Sequence, residues 1–194
     1  KKLGKMLSGA LGRHNVCNTL AAVAVGMELK MDFPTIANSL KAFTGVQRRF
    51  EILKQSESLV IVDDYGHHPA EIQATLSTAK EVWPDRRLVI IFQPHRYSRT
   101  KHLMESFFSS FNDADQLLLL DIYSAGEEAI EGIDSQRIAE GVKEFGHKGV
   151  EYIGSADSVI PHLQKILKPG DVVMTLGAGN IGELSHKLTS RFTD

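Results

Sequence analysis

From residue 59 to the end of the chain, short apolar runs alternate with segments whose apolar residues recur at helical spacing. The apolar runs are predicted strands, and they comprise residues 59–62, 88–92, 117–121, 150–153 and 172–176. Apolar strands separated by helices of roughly 10–14 residues are typical of a mainly parallel sheet with helices on both faces. The alternation therefore predicts a Rossmann-like α/β domain.

Residues 1–46 lack this alternation. The spacing of their apolar residues predicts two helices, at about residues 15–29 and 35–43, with no strand between them. Because no partner surface for these helices is evident within residues 1–46, we expect them to be the helical remnant of a preceding domain. A linker near Thr44 would join them to an α/β domain of residues 47–194. Since the chain does not begin with methionine, we expect it to be part of a longer protein.

The composition excludes several classes of protein. The chain has 22 basic and 24 acidic residues, a net charge of −2 and no block of like charge, which argues against nucleic acid or a membrane surface as a partner. No apolar run approaches the ~18 residues that a membrane span needs. Cys17 is the only cysteine, so no internal disulfide can form and a reducing compartment is expected. Together these features predict a cytoplasmic protein.

Two polar segments each follow one of the predicted strands directly. They have the sequences Asp63-Asp64-Tyr65-Gly66-His67-His68-Pro69 and Gln93-Pro94-His95-Arg96-Tyr97-Ser98-Arg99-Thr100. In a parallel α/β sheet, the loops that leave the carboxyl ends of the strands line the ligand crevice. A solvated surface does not need acids, histidines, arginines and tyrosines concentrated at these positions. The two segments are therefore the predicted functional site.

Arg96 and Arg99 are spaced i, i+3 at the start of a predicted helix, so they can lie on one helix face. Two guanidinium groups beside a helix N-terminus form a pocket suited to a carboxylate or a phosphate. The simpler alternative is a pair of surface arginines bonded to carboxylates of their own helix. We favour the anion pocket because His95 and Tyr97 flank the pair after a predicted buried strand. Pro69 also predicts a second helix N-terminus at the same crevice.

Metal binding is a second alternative for these segments. Five side chains are chemically competent ligands for a divalent ion, and they are Asp63, Asp64, His67, His68 and His95. Arginines close to a metal ion would repel it, however, and cations at this position favour an anionic guest instead. We therefore predict no metal ligand among these residues.

Residues 177–182 have the sequence Gly-Ala-Gly-Asn-Ile-Gly between a predicted strand and a predicted helix, which matches the G-x-G-x-x-G pattern of dinucleotide sites. Such a site also needs an acidic residue about 20 positions further on, at the end of another strand. The chain ends before that position, at residue 194. We therefore interpret the glycines as a tight strand–helix turn. A dinucleotide-binding oxidoreductase domain and a non-catalytic α/β interaction module are the alternative functions.

Four segments resemble the Mur ligases, the amino-acid ligases of bacterial peptidoglycan synthesis. They are Arg13-His14-Asn15-Val16-Cys17-Asn18 followed by Leu20-Ala21-Ala22, then Gly45-Val46-Gln47-Arg48-Arg49-Phe50, and the two polar segments at residues 63–69 and 93–100. The two polar segments resemble most the branch of the family that joins L-alanine to UDP-N-acetylmuramate. The resemblance covers the whole chain but only the C-terminal part of such an enzyme.

The resemblance implies a three-domain ligase that uses ATP. The first domain holds the UDP-sugar, the central domain holds ATP through a P-loop, and the last domain binds the amino acid. The sugar carboxylate attacks the γ-phosphate to give an acyl phosphate, and the amine of L-alanine then displaces phosphate to form an amide. Residues 1–46 would end the central domain, and residues 47–194 would be the last domain.

The resemblance also implies that much of the enzyme lies elsewhere. The P-loop and the main magnesium ligands of the family fall outside this chain. We therefore expect the missing N-terminal and central domains to be its partners, with ATP, L-alanine and UDP-N-acetylmuramate as ligands of the whole enzyme. The chain alone is expected to be inactive.

Single residues receive roles from the same resemblance. The residues assigned to ATP are Asn15 and Asn18 near the adenine, Arg49 at the phosphates and Asp64 at the ribose. The residues assigned to the L-alanine end are Tyr65, His67, His95, Arg96 and Arg99. Helix capping is the alternative role for Asn15. No catalytic residue and no metal ligand is assigned.

Overall fold

The computed structural model describes residues 2–43 and 45–192, so the predicted linker residue Thr44 lies outside the described residues. The packing divides the chain into two compact units, residues 1–47 and residues 48–194. The first unit is helical, and the second contains every strand that the structure describes.

The first unit consists of two helices, α1 (Arg13–Glu28) and α2 (Phe33–Ala42). At the start of α2, the carboxylate of Asp32 accepts a hydrogen bond from the backbone N–H of Thr35 at 3.0 Å. The two helices approach closely at Gly26, where an added Cβ would lie 2.8 Å from Cδ1 of Ile36. Both helices begin two residues before the predicted positions. In α1 the added residues, Arg13 and His14, are polar and contribute nothing to an apolar periodicity.

Much of the apolar surface of α1 is exposed. The exposed fractions are 51% for Val16, 59% for Leu20 and 60% for Val25. Val23 and Gly26 are the buried residues of this helix. No described residue covers these exposed apolar side chains of α1. Helices in proteins gain most of their stability from packing an apolar face, so α1 lacks part of this stabilisation.

Within the described residues of the second unit, six strands form one sheet. They are β1 (Glu51–Gln55), β2 (Leu59–Asp64), β3 (Leu88–Phe92), β4 (Gln116–Leu120), β5 (Val150–Gly154) and β6 (Asp171–Leu176). The spatial order is β1-β2-β6-β3-β4-β5. All neighbouring strands are parallel except β1 and β2, which are antiparallel. The predicted mainly parallel Rossmann-like sheet is confirmed.

The edge strand β1 is absent from the sequence prediction. Its sequence, Glu-Ile-Leu-Lys-Gln, holds only two apolar residues, and none of its residues is fully buried. Periodicity over so short and polar a run cannot be told from that of a loop. Only the ladder to β2, which begins at Glu51 opposite Asp63, makes this segment a strand.

Helices cover both faces of the sheet. Those on one face are α3 (Pro69–Val82), α4 (Tyr97–Phe108) and α5 (Ser135–Glu144), and those on the other are α6 (Val159–Ile166) and α7 (Ile181–Arg191). On the first face, the ring of Phe92 lies 5.5 Å from that of Phe107 and 5.2 Å from that of Phe111. These fully buried aromatic contacts bind α4 to the centre of the sheet.

Three strands end side by side at one edge of the sheet. Because β6 lies between β2 and β3, Leu176 at its end is paired with both Asp64 and Phe92. The segments that follow these strands begin at Tyr65, Gln93 and Gly177. The two predicted polar segments and the glycine turn therefore meet at the carboxyl edge of the sheet.

Candidate functional site

A cavity of about 520 Å³ opens at this carboxyl edge. Its lining residues are Tyr65, His67, His95, Arg96, Ser98, Arg99, His102 and Ala178. The lining includes all five residues that the sequence placed at the amino-acid end. The sequence prediction missed Ser98, His102 and Ala178. The first two were detectable from their position in or one turn beyond the second polar segment, whereas Ala178 is brought in by β6.

Asp64 lies at the end of β2 and not in the loop that was predicted to carry it. Its carboxylate accepts hydrogen bonds from the backbone N–H groups of Phe50 and Gly66, each at 2.7 Å, and from the Thr75 hydroxyl at 3.3 Å. Burial raises the pKa of Asp64. With its oxygens engaged internally, Asp64 fixes the start of the loop that carries Tyr65. The predicted ribose contact gains no support from this geometry.

Arg48, a residue without a predicted role, links the end of β2 to the glycine turn. Its guanidinium donates to Asp63 Oδ2 at 3.0 Å and to the carbonyl oxygens of Gly177 at 2.6 Å and Gly179 at 3.2 Å. Asp63 is almost fully buried and also accepts a hydrogen bond from the Thr175 hydroxyl at 2.6 Å. Arg48 therefore fixes the glycine turn against the end of β2.

The glycine segment is a tight turn between β6 and α7, as predicted. Gly177 has a φ of 149°, and an added Cβ there would lie 2.7 Å from the carbonyl oxygen of Gln93. An added Cβ at Gly182 would lie 2.8 Å from Nε of Arg48. These glycines therefore make room for neighbouring groups of the chain itself, which does not favour the dinucleotide interpretation.

Arg49 remains available to a ligand. Its side chain is 52% exposed, and its nearest acidic atom, Glu71 Oε1, lies 3.9 Å from Nη1. The guanidinium carbons of Arg48 and Arg49 lie 5.1 and 5.4 Å from the centre of the Tyr65 ring. Tyr65 thus holds Arg49 near the cavity through a cation–π contact, without using its hydrogen-bond donors.

His67 is oriented by groups behind it. Its Nδ1 lies 3.1 Å from the carbonyl oxygen of Tyr65 and 3.5 Å from Glu71 Oε2. Two acceptors at Nδ1 place the proton there in the neutral ring, so Nε2 is left as an acceptor. His68, by contrast, is exposed and caps α3, where its Nδ1 accepts from the N–H of Ala70 at 3.3 Å.

His95 has the opposite tautomer. Nη1 of Arg99 lies 2.9 Å from Nδ1 of His95, and because a guanidinium can only donate, this nitrogen accepts and the proton sits on Nε2. The His95 ring stacks on Tyr123 at 5.5 Å and lies 6.0 Å from the His67 ring. Burial and the charge of Arg99 lower the pKa of His95, so it is neutral at pH 7.

Arg96 holds the N-cap position of α4, one residue before the helix that contains Arg99, and both side chains line the cavity. The backbone of Arg96 has a φ of 72° and a ψ of 135°, a conformation that costs a non-glycine residue free energy. Its N–H donates to the carbonyl of Tyr123 at 2.8 Å, and its own carbonyl accepts from the N–H of Thr100 at 3.1 Å. These bonds hold the strained residue at the cavity.

We expect Arg96→Gly to unfold at a higher temperature than Arg96→Ala. Both changes remove the guanidinium, but only glycine relieves the backbone strain, which should leave the glycine variant about 1 kcal/mol more stable. Thermal unfolding of the two variants measures the difference. Lys101, an exposed residue inside α4, is the matched control, since glycine there should be the less stable by about 1 kcal/mol. If glycine is less stable than alanine at position 96 as well as at position 101, Arg96 is unstrained.

The N-terminus of α4 already carries an anion, the carboxylate of Glu127. Glu127 Oε2 accepts from the backbone N–H of Ser98 at 2.9 Å, and Oε1 accepts from the Ser98 hydroxyl at 2.7 Å. Nη1 of Arg96 lies 3.6 Å from the same Oε1. The hydrogen bonds from Ser98, followed by the charge of Arg96, hold the pKa of Glu127 below its ordinary value. The anion pocket predicted at this terminus is therefore partly filled by the chain itself.

Arg99 differs from Arg96 in its partners. Besides Nδ1 of His95, its Nη1 bonds the His95 carbonyl oxygen at 3.1 Å. In residues 2–43 and 45–192, no carboxylate lies within ion-pairing distance of Arg99. Arg99 is therefore the cation of the cavity whose charge is not offset.

Asn15 and Asn18 both lie inside α1, and the capping interpretation of Asn15 is wrong because Gly12 holds the N-cap position. The amide of Asn15 donates to the carbonyl of Leu11 at 2.7 Å. The amide of Asn18 donates to Asn15 Oδ1 at 3.2 Å, and Asn18 is exposed. The two asparagines thus form a linked polar pair on the first turns of the helix.

No group of three or more histidine, cysteine, aspartate or glutamate side chains in the described part of the chain is arranged to hold a metal ion. None of the helices described combines the length and the apolar character that crossing a bilayer requires.

Residues 48–179 match the family described as Mur ligase, glutamate ligase domain. The matched range includes both polar segments, Arg48 and most of the turn that follows β6. The chain belongs to the Mur ligase family. The resemblance seen in the four sequence segments is thereby confirmed.

Individual Mur ligases match this chain over almost its whole length. The UDP-N-acetylmuramate–L-alanine ligase of Geotalea uraniireducens is 52% identical over 189 residues, which are 97% of this chain and 41% of that protein. The solved UDP-N-acetylmuramate-alanine ligase MurC of Thermotoga maritima is 29% identical with a TM-score of 0.81, covering 98% of this chain and 40% of that one. A murein peptide ligase of Psychrobacter arcticus, 24% identical with a TM-score of 0.69, shares the fold over 97% of this chain and 39% of its own. The chain thus spans about two-fifths of the length of these Mur ligases and corresponds to their C-terminal portion.

Proposed function

We propose that this chain is the C-terminal portion of an ATP-dependent ligase that joins L-alanine to UDP-N-acetylmuramate, and that its cavity binds the amino acid. One observation carries the proposal: the cavity combines Arg99, whose charge is not offset within the described residues, with two histidines whose Nε2 atoms have opposite hydrogen-bonding roles. An amino acid has the matching groups, an anionic carboxylate and an amine. The names of the related ligases support the choice of L-alanine.

The carboxylate of the amino acid would bind at Arg99 and His95. The two bonds from Nη1 of Arg99 to His95 fix the plane of the guanidinium, and its other N–H groups stay available for a charge-assisted hydrogen bond. His95 adds a neutral N–H donor at Nε2. Arg96 assists more weakly, because Glu127 already offsets its charge.

The amine would lie at His67. When the His67 ring is neutral, its Nε2 can accept a hydrogen bond from the amine, while Nδ1 faces the Tyr65 carbonyl and Glu71. Tyr65 forms the wall next to His67, with the two rings 5.5 Å apart and perpendicular. An acceptor for the amine and a cation for the carboxylate would together fix the orientation of the amino acid.

This orientation serves amide formation. ATP, when bound by the whole enzyme, supplies the phosphoryl group that activates the sugar carboxylate. The residues of this chain then have to aim the amine at the activated carboxyl carbon. Anchoring the carboxylate at Arg99 and the amine at His67 removes rotational freedom before the reaction, which is a large share of what a ligase must do.

For the nucleotide, we propose contacts from Asn15, Asn18 and Arg49. Asn18 and Arg49 have exposed polar groups, and neither pairs closely with an acid in the described residues. Asp64 does not fit a ribose contact while its oxygens accept three internal hydrogen bonds. The described residues offer no ligand cluster for magnesium, so we propose that residues outside this chain hold it.

We propose that residues 1–46 end the central ATP-binding domain and that residues 47–194 form the amino-acid-binding domain. The exposed apolar side chains on α1 support this division, because they need cover from residues outside this chain. The partners would be the preceding domains and the two substrates. We propose a cytoplasmic location, which agrees with the single cysteine.

Phosphate release by the full-length protein tests this function. We expect release to require ATP, magnesium, UDP-N-acetylmuramate and L-alanine together, and the 194-residue chain alone to release none. Replacing L-alanine with glycine or with a D-amino acid is the control for the amino-acid site. Full activity without L-alanine, or with an unrelated acceptor, would contradict the proposal.

A further inference from the structure

We propose that Glu127 determines the amino-acid specificity of the cavity by limiting it to substrates with one carboxylate. The inference rests on the proposed function, in which the cavity binds an amino acid. Glu127 would act as a positioning residue, through Arg96 and Ser98, and would not touch the substrate itself.

Specific contacts hold the carboxylate of Glu127 in place. Both of its oxygens accept hydrogen bonds from Ser98, and Oε1 also lies 3.6 Å from Nη1 of Arg96. Both of these partners line the cavity, although Glu127 comes from the segment after β4. The adjacent Glu128 is exposed and makes no hydrogen bond or ion pair within the part of the chain that the structure describes.

The contacts of Glu127 set the charge that a ligand meets. Two arginines line the cavity, and Glu127 offsets the charge of one of them, Arg96. One positive charge is then left, on Arg99, and it matches the single α-carboxylate of a neutral amino acid. A second carboxylate on the substrate would find no unpaired arginine among the residues that line the cavity and would lie near the negative charge of Glu127. Displacing Glu127 would also leave the N–H of Ser98 without its acceptor.

Removing the charge of Glu127 should therefore admit acidic amino acids. Glutamine at position 127 has the size of glutamate and can still accept a hydrogen bond from Ser98, but it leaves Arg96 unpaired. The side-chain carboxylate of L-aspartate could then pair with Arg96. We expect the ratio of kcat/KM for L-aspartate to that for L-alanine to rise about 10- to 100-fold, the size of effect that one charge-assisted hydrogen bond produces.

The test compares Glu127→Gln with Glu128→Gln in the full-length protein, with kcat/KM measured for L-alanine and L-aspartate. The two variants lose the same charge at adjacent positions, so a general electrostatic effect would change both ratios equally. We expect only Glu127→Gln to raise the ratio and Glu127→Asp, which keeps the charge, to stay near the unsubstituted protein. If Glu127→Gln does not fold, Glu127→Ala replaces it, and we expect this variant to raise the ratio as well.

The outcomes separate this inference from the proposed function. An active L-alanine ligase whose ratio is unchanged by Glu127→Gln and Glu127→Ala, or is changed equally by Glu128→Gln, overturns the role of Glu127 alone. An unsubstituted full-length protein without L-alanine-dependent activity overturns the proposed function instead.

Discussion

Replacing Arg99 with alanine in the full-length protein should lower kcat/KM for L-alanine by about 10- to 150-fold, which corresponds to roughly 1.5–3 kcal/mol for a lost charge-assisted hydrogen bond. Arg99 is the cavity cation that has no carboxylate partner in the described residues, so its charge is available to the substrate. Arg99→Lys should restore only part of the activity, because an ammonium group lacks the planar fork of donors. Steady-state kinetics with L-alanine as the varied substrate measures both variants.

Arg96→Ala is the matched control for this prediction. It removes the same group from the same cavity, but the charge it removes is already offset by Glu127, so we expect a smaller loss than for Arg99→Ala. The KM for ATP should change little in either variant, since the proposed nucleotide contacts come from Asn15, Asn18 and Arg49. A larger effect on ATP than on L-alanine would mean that the cavity has been assigned to the wrong ligand.

Replacing Arg48 with alanine should destabilise the 194-residue chain by about 3 kcal/mol, which lowers its melting temperature by roughly 6–12 °C. The change leaves the buried carboxylate of Asp63 without its cation and removes the two bonds to the glycine turn. Burial of an unpaired charge is the main cost, because the side chain of Asp63 is only 2% exposed. Thermal and urea denaturation followed by circular dichroism measure the loss.

Arg49→Ala supplies the comparison for Arg48. It is the next residue, but its side chain is 52% exposed and its nearest carboxylate atom is 3.9 Å away, so we expect a loss below about 1 kcal/mol. If the two alanine variants melt at the same temperature, the contacts of Arg48 contribute no more than a surface ion pair, and Arg48 does not fix the glycine turn against β2.

The architecture could be predicted because its strongest signals are local. Wholly apolar strands such as β3 and amphipathic helices such as α3 follow from the spacing of residues within one segment. Pro69 likewise marks the first residue of α3, because its missing N–H has no partner to lose there. The edge strand β1 could not be predicted in this way, since its structure depends on pairing with β2 and hardly on its own residue pattern.

The position of the cavity was predictable for a related reason. Its five predicted residues lie in two short segments, each directly after a buried strand, and parallel strands bring such segments to one edge. The tautomers of His67 and His95 were not predictable, because each depends on a hydrogen bond to a partner whose position only the folded chain sets. The pairing of Glu127 with Arg96 and not with Arg99 was not predictable either, since Glu127 is distant in sequence from both arginines.

The α/β class, the two polar segments and the family can all be read from the amino-acid sequence, because periodicity, turn residues and motif order are properties of neighbouring residues. The strand order, in which β6 lies between β2 and β3 and brings Ala178 to the cavity, is visible only in the folded chain. Only the folded chain also shows that Arg48 binds Asp63 and the glycine turn, and that Glu127 caps α4. These contacts join residues far apart along the chain, and no local pattern specifies which distant donor and acceptor will meet once the sheet has formed.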